Sequence, residues 1–385
     1  MSDQYLKPAG GDLPDIWRYW HDQRPPAELV HLNSASVGRS SMATLRAFSE
    51  QADREAAAGF RSASVQAQPL LERGRADLAT LLGVQPAGVA FTQSGRAALS
   101  SLLAAWPLHA GEAVAVVPSE WGPNLTAFTN RGLRPVRLPV HGDGRLDLTG
   151  LEAALAQTRP AFVHLTQVAS HRCLVQPVTE AARLCRAVGV PLWIDATQAL
   201  GHVSTGYGAD VIYATSRKWL TGPRGAGLLA VSAAWWDILR VRPVGKHPES
   251  VSPVALLERP ETSLAARAGL CAAVREYLDT GPERVSQRLA EVGSLTRSAL
   301  AGIPGWAVLD TAKVSSAITA LRATAGQDIA AVKAWLLADR GIVTTAEGRS
   351  RAPWEMAEPL LRVSPHVDCC TQDLALLREA LIAAD

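Results

Sequence analysis

Between residues 87 and 232 short, β-rich apolar runs alternate with helical segments, and this alternation restricts the fold more than any other feature of the chain. GVAFT leads into SGRAALSSLLAAW, AVAVVP into WGPNLTAFTNRG, and AFVHLTQV into PVTEAARLCRAVG; VPLWIDA, ADVIYAT and GAGLLAV follow. Strands that read as near-continuous apolar runs are covered on both faces, so the pattern predicts an α/β fold with a mostly parallel sheet between helical layers. Ligands of such sheets sit beyond the carboxyl ends of the strands, which directs attention to the residues just after each one.

At 385 residues the chain exceeds what one hydrophobic core usually serves. After residue 255 the pattern changes to long helices, TSLAARAGLCAAVREYL and PERVSQRLAEVGSLTRSALAGI, and then to a strand, helix and strand block. This predicts a large domain over 41–255, a smaller carboxyl-terminal domain over 256–385, and an arm over 1–40 that joins the smaller one. Hydrophobic residues at 48% and charged residues at 19% are too apolar a mixture for a disordered chain, and a net charge of +2 gives no field to draw nucleic acid or an acidic membrane. The amino terminus reads as lacking a secretory leader, and no apolar run reaches the ~18 residues of a membrane span. Five cysteines without a CxxC pair predict reduced thiols in a cytoplasm, and no His, Cys and carboxylate set has metal-ligand spacing, so no metal is expected.

Three strand ends carry chemistry. Asp195 closes VPLWIDA, with Gln198 one turn later; a carboxylate there either keeps a heteroaromatic nitrogen protonated or caps the next segment. Ser94, Gly95 and Arg96 open a helix, whose first N–H groups suit a phosphate. Lys218, one of five lysines, follows ADVIYAT beside Ser216 and Arg217. A phosphate cradle, an acid for a ring nitrogen and a lysine beside a hydroxyl are the parts that hold pyridoxal 5′-phosphate (PLP).

In this order FTQSGRAAL, SEWGPN, WIDATQALGH, SRKWLTGPRGAG and LLRVSPH resemble the aminotransferase class V family of fold-type I PLP enzymes, over nearly the whole chain. The resemblance implies a large domain built on a mostly parallel seven-stranded sheet, a smaller α/β domain, PLP as cofactor, and a homodimer whose pockets are completed by the neighbour. It implies that Lys218 is the Schiff-base lysine and Asp195 the partner of the ring nitrogen. Ser94, Gly95, Arg96, Ser216 and Arg217 would hold the phosphate, Trp121 would stack on the ring, and Gln198 and Ser170 would contact the pyridine hydroxyl. Arg362 would grip the substrate α-carboxylate in a two-pronged pair, with Asn33 close to the substrate. GPRGAG precedes a strand instead of opening a helix, so Gly222, Gly225 and Gly227 read as a tight turn and not as a dinucleotide loop.

The chain departs from its family at informative places. Cysteine desulfurases carry a cysteine on a loop before the carboxylate-binding arginine; GIVTTAEGRSRAPWEMAEPLLRVSPH has none, and Cys369 and Cys370 come after Arg362. Trp121 cannot act as an acid–base histidine, which leaves proton transfer to Lys218. Ser170 replaces an asparagine, His171 a residue that is usually acidic, and Arg96 a threonine; Glu261 and Thr262 stand where a threonine reaches the partner's phosphate. Within the family HLNSASVGRSS, SEWGPNLTAF and GRSRAPW resemble the carbon–sulfur lyases of ergothioneine synthesis. That implies β-elimination from hercynylcysteine sulfoxide, giving pyruvate, ammonia and a sulfenic product that a thiol reduces. The leaving fragment carries an imidazole and a trimethylammonium, for which Trp354, beside Arg349 and Arg351, is the candidate aromatic contact. The alternatives are another class V enzyme, such as a different cysteine-conjugate lyase, a desulfurase or an aminotransferase, and a non-catalytic PLP-binding protein.

Overall fold

The computed structural model describes residues 14–205, 208–241, 251–259, 261–310 and 315–384. In chain order α1 (Pro14–Asp22), β1 (Val30–His31) and the long α2 (Met42–Leu82) precede the large sheet. That sheet is built from β2 (Val89–Thr92), α3 (Gly95–Ala105), β3 (Ala113–Val116), α4 (Gly122–Asn130), β4 (Arg134–Arg137), α5 (Leu148–Thr158), β5 (Phe162–Thr166), α6 (Val178–Ala187), β6 (Leu192–Asp195), β7 (Val211–Thr215) and β8 (Gly227–Val231). There follow α7 (Leu264–Thr280), α8 (Pro282–Leu300), β9 (Trp306–Val308), β10 (Thr319–Ala323), α9 (Ile329–Arg340), β11 (Ile342–Val343), β12 (Thr345–Glu347), β13 (Leu360–Val363) and α10 (Thr371–Ile382).

The large sheet runs β2-β8-β7-β6-β5-β3-β4 and is parallel except for β8, which is antiparallel to both neighbours. Successive residues of its strands go to different cores: Phe91, Val163, Ile194 and Ile212 to one, and Ala90, Phe162, Trp193 and Val211 to the other. A period of two with both faces apolar leaves no solvent face, which is why these strands read as unbroken hydrophobic runs. The seventh strand, RPVR, is a half-exposed edge and carries no such signal.

A second sheet, β12-β13-β10-β9, is antiparallel throughout and covers a third core around Leu321, Leu361 and Leu336. Strand β1 pairs in parallel with β11, and Asn33 bridges Ser364, so the amino-terminal segment is tied to this smaller sheet. Helix α7 packs along α2, where a Cβ on Gly74 would fall 2.2 Å from Cys271 Sγ, so only glycine permits that crossing. Among the described residues no helix is long and apolar enough to cross a membrane.

Candidate active site

The carboxyl ends of β2, β3, β6 and β7 share one edge of the large sheet, and the segments that follow them enclose a cavity of about 370 Å³. Ser94, Gly95 and Arg96 enter it from the end of β2, Trp121 and Asn124 from β3, Asp195 and Thr197 from β6, and Tyr213, Thr215, Arg217 and Lys218 from β7. Arg224, Arg351 and the turn at Ala35–Val37 close it.

Lys218 is buried, and its amine is pushed well below the usual lysine range, first by burial and then by the charges of Arg362 and Arg217; Asp195 opposes the shift. A buried amine that sheds its proton is both a nucleophile and a base. Its turn is rigidly held. The N–H of Gly38 donates to Arg217 O at 2.7 Å, and a Cβ on Gly38 would fall 2.3 Å from Lys218 O. Thr221 adopts φ 56°, a conformation that costs a β-branched residue about 1–3 kcal/mol. Arg24, itself paired with Glu276, donates to Thr221 Oγ1 at 3.1 Å and keeps it there.

Asp195 is oriented by donors on both oxygens: Thr197 N–H to Oδ1 at 2.9 Å and Asn124 Nδ2 to Oδ2 at 3.0 Å. The same amide donates to Glu120 Oε1 at 2.8 Å. Glu120 also accepts from Thr166 Oγ1 and lies 2.8 Å from His164 Nδ1, whose Nε2 meets the Tyr213 hydroxyl at 2.9 Å. Burial acts to raise the Glu120 pKa, but His164 and the bonds from Thr166 and Asn124 outweigh it and hold the carboxyl below its usual range. This buried chain behind Asp195 escapes sequence reasoning. SEWGPN is visible as a motif, but nothing in it shows that Asn124 joins two carboxylates from different strands.

At the other end α3 begins at Gly95, where the first N–H groups of a helix lack intrahelical partners. Ser94 caps the helix through Ala97 N–H at 3.1 Å. Arg96, Arg217 and Arg224 crowd this end, and Arg224 is a member that the motif alone does not reveal. The close packing is steric: a Cβ on Gly95 would lie 2.8 Å from Thr197 Oγ1, and one on Gly227 2.6 Å from Ala214 O. Of the turn glycines only Gly225 has positive φ, at 84°; Gly222 faces Ser216 Cβ.

Several expected contacts are placed elsewhere. Ser216 is buried and directs its hydroxyl to Ala226 O at 2.9 Å and to Pro223 O, so it braces the turn and is absent from the pocket wall. Gln198 donates from Nε2 to Ala35 O and accepts at Oε1 from the Trp219 indole, which leaves one Nε2 hydrogen uncommitted, and it lies off the pocket wall. Ser170 lies off this pocket, with its carbonyl accepting from Arg362 Nη1 at 2.5 Å. Asn33 accepts from the Thr345 hydroxyl and also lies off the pocket wall. Trp354 packs on the sheet core with the Arg137 guanidinium 4.8 Å from its ring centroid, a like charge that repels a trimethylammonium from that face.

Arg362 is fully buried behind the pocket, and burial brings its pKa down to about 10 against the pull of Glu347. Its Nη1 lies 2.6 Å from Glu347 Oε1, and its Nη2 donates to Ser36 Oγ at 2.6 Å. Arg351 forms a second pair with Glu347, through Nη2 at 2.7 Å and through Nε. The two arginines and one carboxylate carry a net charge of +1, which one substrate carboxylate would neutralise.

Two histidines beneath Lys218 set a pH limit on the fold. His202 donates from Nδ1 to Gln198 O and accepts at Nε2 from Ala317 N–H, while His366 donates from Nε2 to Trp219 O and accepts at Nδ1 from Val367 N–H. A second proton on either ring would meet a donor, and burial lowers their pKa values to about 3 and about 4. The folded values lie below the unfolded value of about 6.5, so stability is full above that pH and falls as the unfolded chain takes up protons that the folded one refuses. Urea unfolding at pH 5 is expected to show a loss of roughly 2–4 kcal/mol relative to pH 7, to which each histidine contributes up to about 1.4 kcal/mol per pH unit below 6.5. An unchanged midpoint would mean that both rings take up protons in place.

A buried lysine and a carboxylate at the carboxyl ends of neighbouring parallel strands, with a helix start and Trp121 on the same cavity wall, are the arrangement of a fold-type I PLP enzyme. The chain belongs to the aminotransferase class-V family, whose family model matches residues 31–377. It is 43% identical over 393 aligned residues, covering 100% of this chain and 98% of the relative, to a Mycobacterium tuberculosis (strain CDC 1551 / Oshkosh) protein named "probable hercynylcysteine sulfoxide lyase". Among solved structures it is similar to a C-DES lysine mutant with glycine covalently linked to the PLP cofactor (TM-score 0.84, 17% identity, 95% of this chain and 99% of that one). It is also similar to a cysteine desulfurase from Thermococcus onnurineus NA1 (TM-score 0.81, 18% identity, 99% and 98%).

Proposed function

We propose that this protein is a carbon–sulfur lyase that cleaves hercynylcysteine sulfoxide by β-elimination. The full-length 43% identity to the mycobacterial relative carries the reading, because it spans every segment of the pocket. The absence of cysteine from 341–366 separates it from a desulfurase that relays sulfur through that loop.

The lining suits PLP: Arg96, Arg217 and Arg224 at the α3 start would hold its phosphate, Lys218 its aldehyde carbon and Asp195 its ring nitrogen, and bound there it would supply the electron sink that makes the substrate Cα–H acidic. Arg351 and Arg362 supply the charge that holds the substrate carboxylate. The Lys218 amine, whose charged form is disfavoured by burial among arginines, takes the Cα proton. Asp195, fixed by Thr197 and Asn124, keeps the ring-nitrogen proton in place. The Cβ–S bond then breaks with its electrons passing to sulfur, and oxygen shares the charge of the departing sulfenate. Water converts the three-carbon remnant, released as its enamine, to pyruvate and ammonia, and a cellular thiol reduces the sulfenic product to ergothioneine.

We read the working enzyme as a cytoplasmic homodimer: its five cysteines are free, Arg96 and Arg224 of the pocket are exposed, and Glu261, in the stretch that the family resemblance assigns to the partner's pocket, accepts at its carbonyl from Gln93 Nε2 at 3.2 Å. Incubation of the purified holoenzyme with hercynylcysteine sulfoxide is expected to give pyruvate and ammonia in equal amounts without an amino acceptor. A requirement for a keto-acid acceptor, or cleavage of other cysteine conjugates but not of this one, would replace the reading with another class V activity.

A further inference from the structure

The lyase reading leaves open where the rest of the substrate lies, and charge decides against the pocket at Lys218. There Arg96, Arg217, Arg224 and Arg351 are engaged by phosphate and substrate carboxylate and Asp195 by the ring nitrogen, which leaves no carboxylate of the pocket wall free to face a quaternary ammonium. A second cavity of about 500 Å³ is built from the same segments. The loop after β5 gives Ser170 to Arg362 and its next two residues, His171 and Arg172, to this cavity. Strand β13 places Arg362 behind the first cavity, while Leu360, on the same face and roughly 7 Å along the strand, lines the second. The segment that gives Arg351 to the first gives Glu355 and Met356 to the second.

The charge is reversed in this second cavity. Asp143, Asp310, Glu355 and Glu358 line it against Arg172. Arg172 has four of its five donors engaged, with Nη1 on Asp310 at 2.8 Å, Nε and Nη2 on Glu355 at 2.9 and 2.6 Å, and Nη2 also on Asp143 O at 2.8 Å. The Asp143 and Glu358 carboxylates are exposed; Glu358 meets Arg322 only in an exposed contact at 3.7 Å. Met356 and Leu360 give the cavity an apolar floor.

Independent of this charge, three buried polar atoms lack partners, Arg362 Nε, Ser170 Oγ and His171 Nδ1; Arg362 touches Ser170, and His171, which follows it, lines the second cavity. The three residues are 0%, 5% and 1% exposed, and His171 Nε2 lies 3.0 Å from Glu355 Oε2. Buried polar atoms are satisfied in roughly nine cases of ten, so three orphans on touching or consecutive residues mark a place for ligand atoms.

We propose that this cavity seats the zwitterionic tail of the substrate, a trimethylammonium betaine on an imidazole, with its ammonium toward the acidic wall. The carboxylate wall faces the ammonium, His171 offers Nδ1 to the polar atoms of the tail, and Met356 and Leu360 contact its ring and methyl groups. This rests on the lyase reading. The test compares hercynylcysteine sulfoxide with S-methyl-L-cysteine sulfoxide, which keeps the reacting centre and lacks the tail, and titrates N,N,N-trimethylhistidine, the tail alone, into the holoenzyme by calorimetry. The double variant Asp143→Asn, Glu358→Gln changes two exposed side chains outside the Arg172 cluster. It is expected to raise KM for the tailed substrate about tenfold at constant kcat, to leave KM for the methyl substrate unchanged, and to weaken trimethylhistidine by a similar factor. His171→Phe is expected to act in the same direction on the tailed substrate alone. A KM shift shared by both substrates, or equal trimethylhistidine affinity in variant and wild type, overturns the proposal. Wild-type enzyme that binds trimethylhistidine through these residues but leaves hercynylcysteine sulfoxide intact refutes the lyase reading and not the tail site.

Discussion

Replacing Lys218 with alanine is expected to lower turnover of the sulfoxide by about 10³-fold or more while the protein stays folded and retains PLP non-covalently. Among the described residues the pocket wall holds no second amine and no histidine, and Trp121 has no acid–base group; Asp195 and the Tyr213 hydroxyl, tied to Asn124 and His164, are not free to replace the lost base. Stability is expected to be unchanged or higher. The amine is buried with its charged form disfavoured, and removing it relieves a desolvation penalty that the fold otherwise bears. The measurements are pyruvate release, the cofactor absorbance and the thermal midpoint of one preparation. Retention of more than a tenth of wild-type turnover with PLP bound would remove Lys218 from the chemistry.

Asp195→Asn is expected to reduce kcat by about 10²–10³-fold, a loss of the size seen when one preorganised charge or donor is removed from a buried site. Its shape is conserved and its hydrogen bonding is not. Both oxygens of Asp195 accept from donors, Thr197 N–H and Asn124 Nδ2, so the amide nitrogen of an asparagine must face one of them. That mismatch is expected to cost about 1–3 kcal/mol of stability, and loss of the charge removes the partner of the ring-nitrogen proton. Exchange of the substrate Cα proton with deuterated solvent isolates the electron-sink step from sulfur departure. Exchange at the wild-type rate would show that the Asp195 charge plays no part in acidifying Cα.

The legible part of the site was the part written on single strand ends. Lys218, Asp195, Ser94, Gly95, Arg96 and Trp121 each follow an apolar run whose carboxyl end the parallel topology brings to one edge, and all six line one cavity. What the motif left hidden depends on partners far away in sequence. Ser216 and Gln198 have polar ends suited to a cofactor, and the fold sets them against Pro223, Ala226, Ala35 and Trp219, contacts that no motif shows. Glu347 gave no signal at all, because its meaning comes from β12 lying beside β13, which sets it against Arg362.

Hydrophobic period and strand-end chemistry by themselves determined the α/β architecture, the sheet edge that carries the cavity and the cofactor class, and they put Lys218 at that edge. These are local properties: a strand buried on both faces has to be apolar, and a residue just beyond its end has to emerge at the rim. Tertiary structure alone decided how charge is divided between the two cavities. The Asn124 bridge from Glu120 to Asp195, the arginine pair on Glu347 and the acidic wall beside His171 all join segments tens to hundreds of residues apart. Electrostatic interaction depends on distance in space and on burial, and neither is encoded in the spacing of residues along the chain.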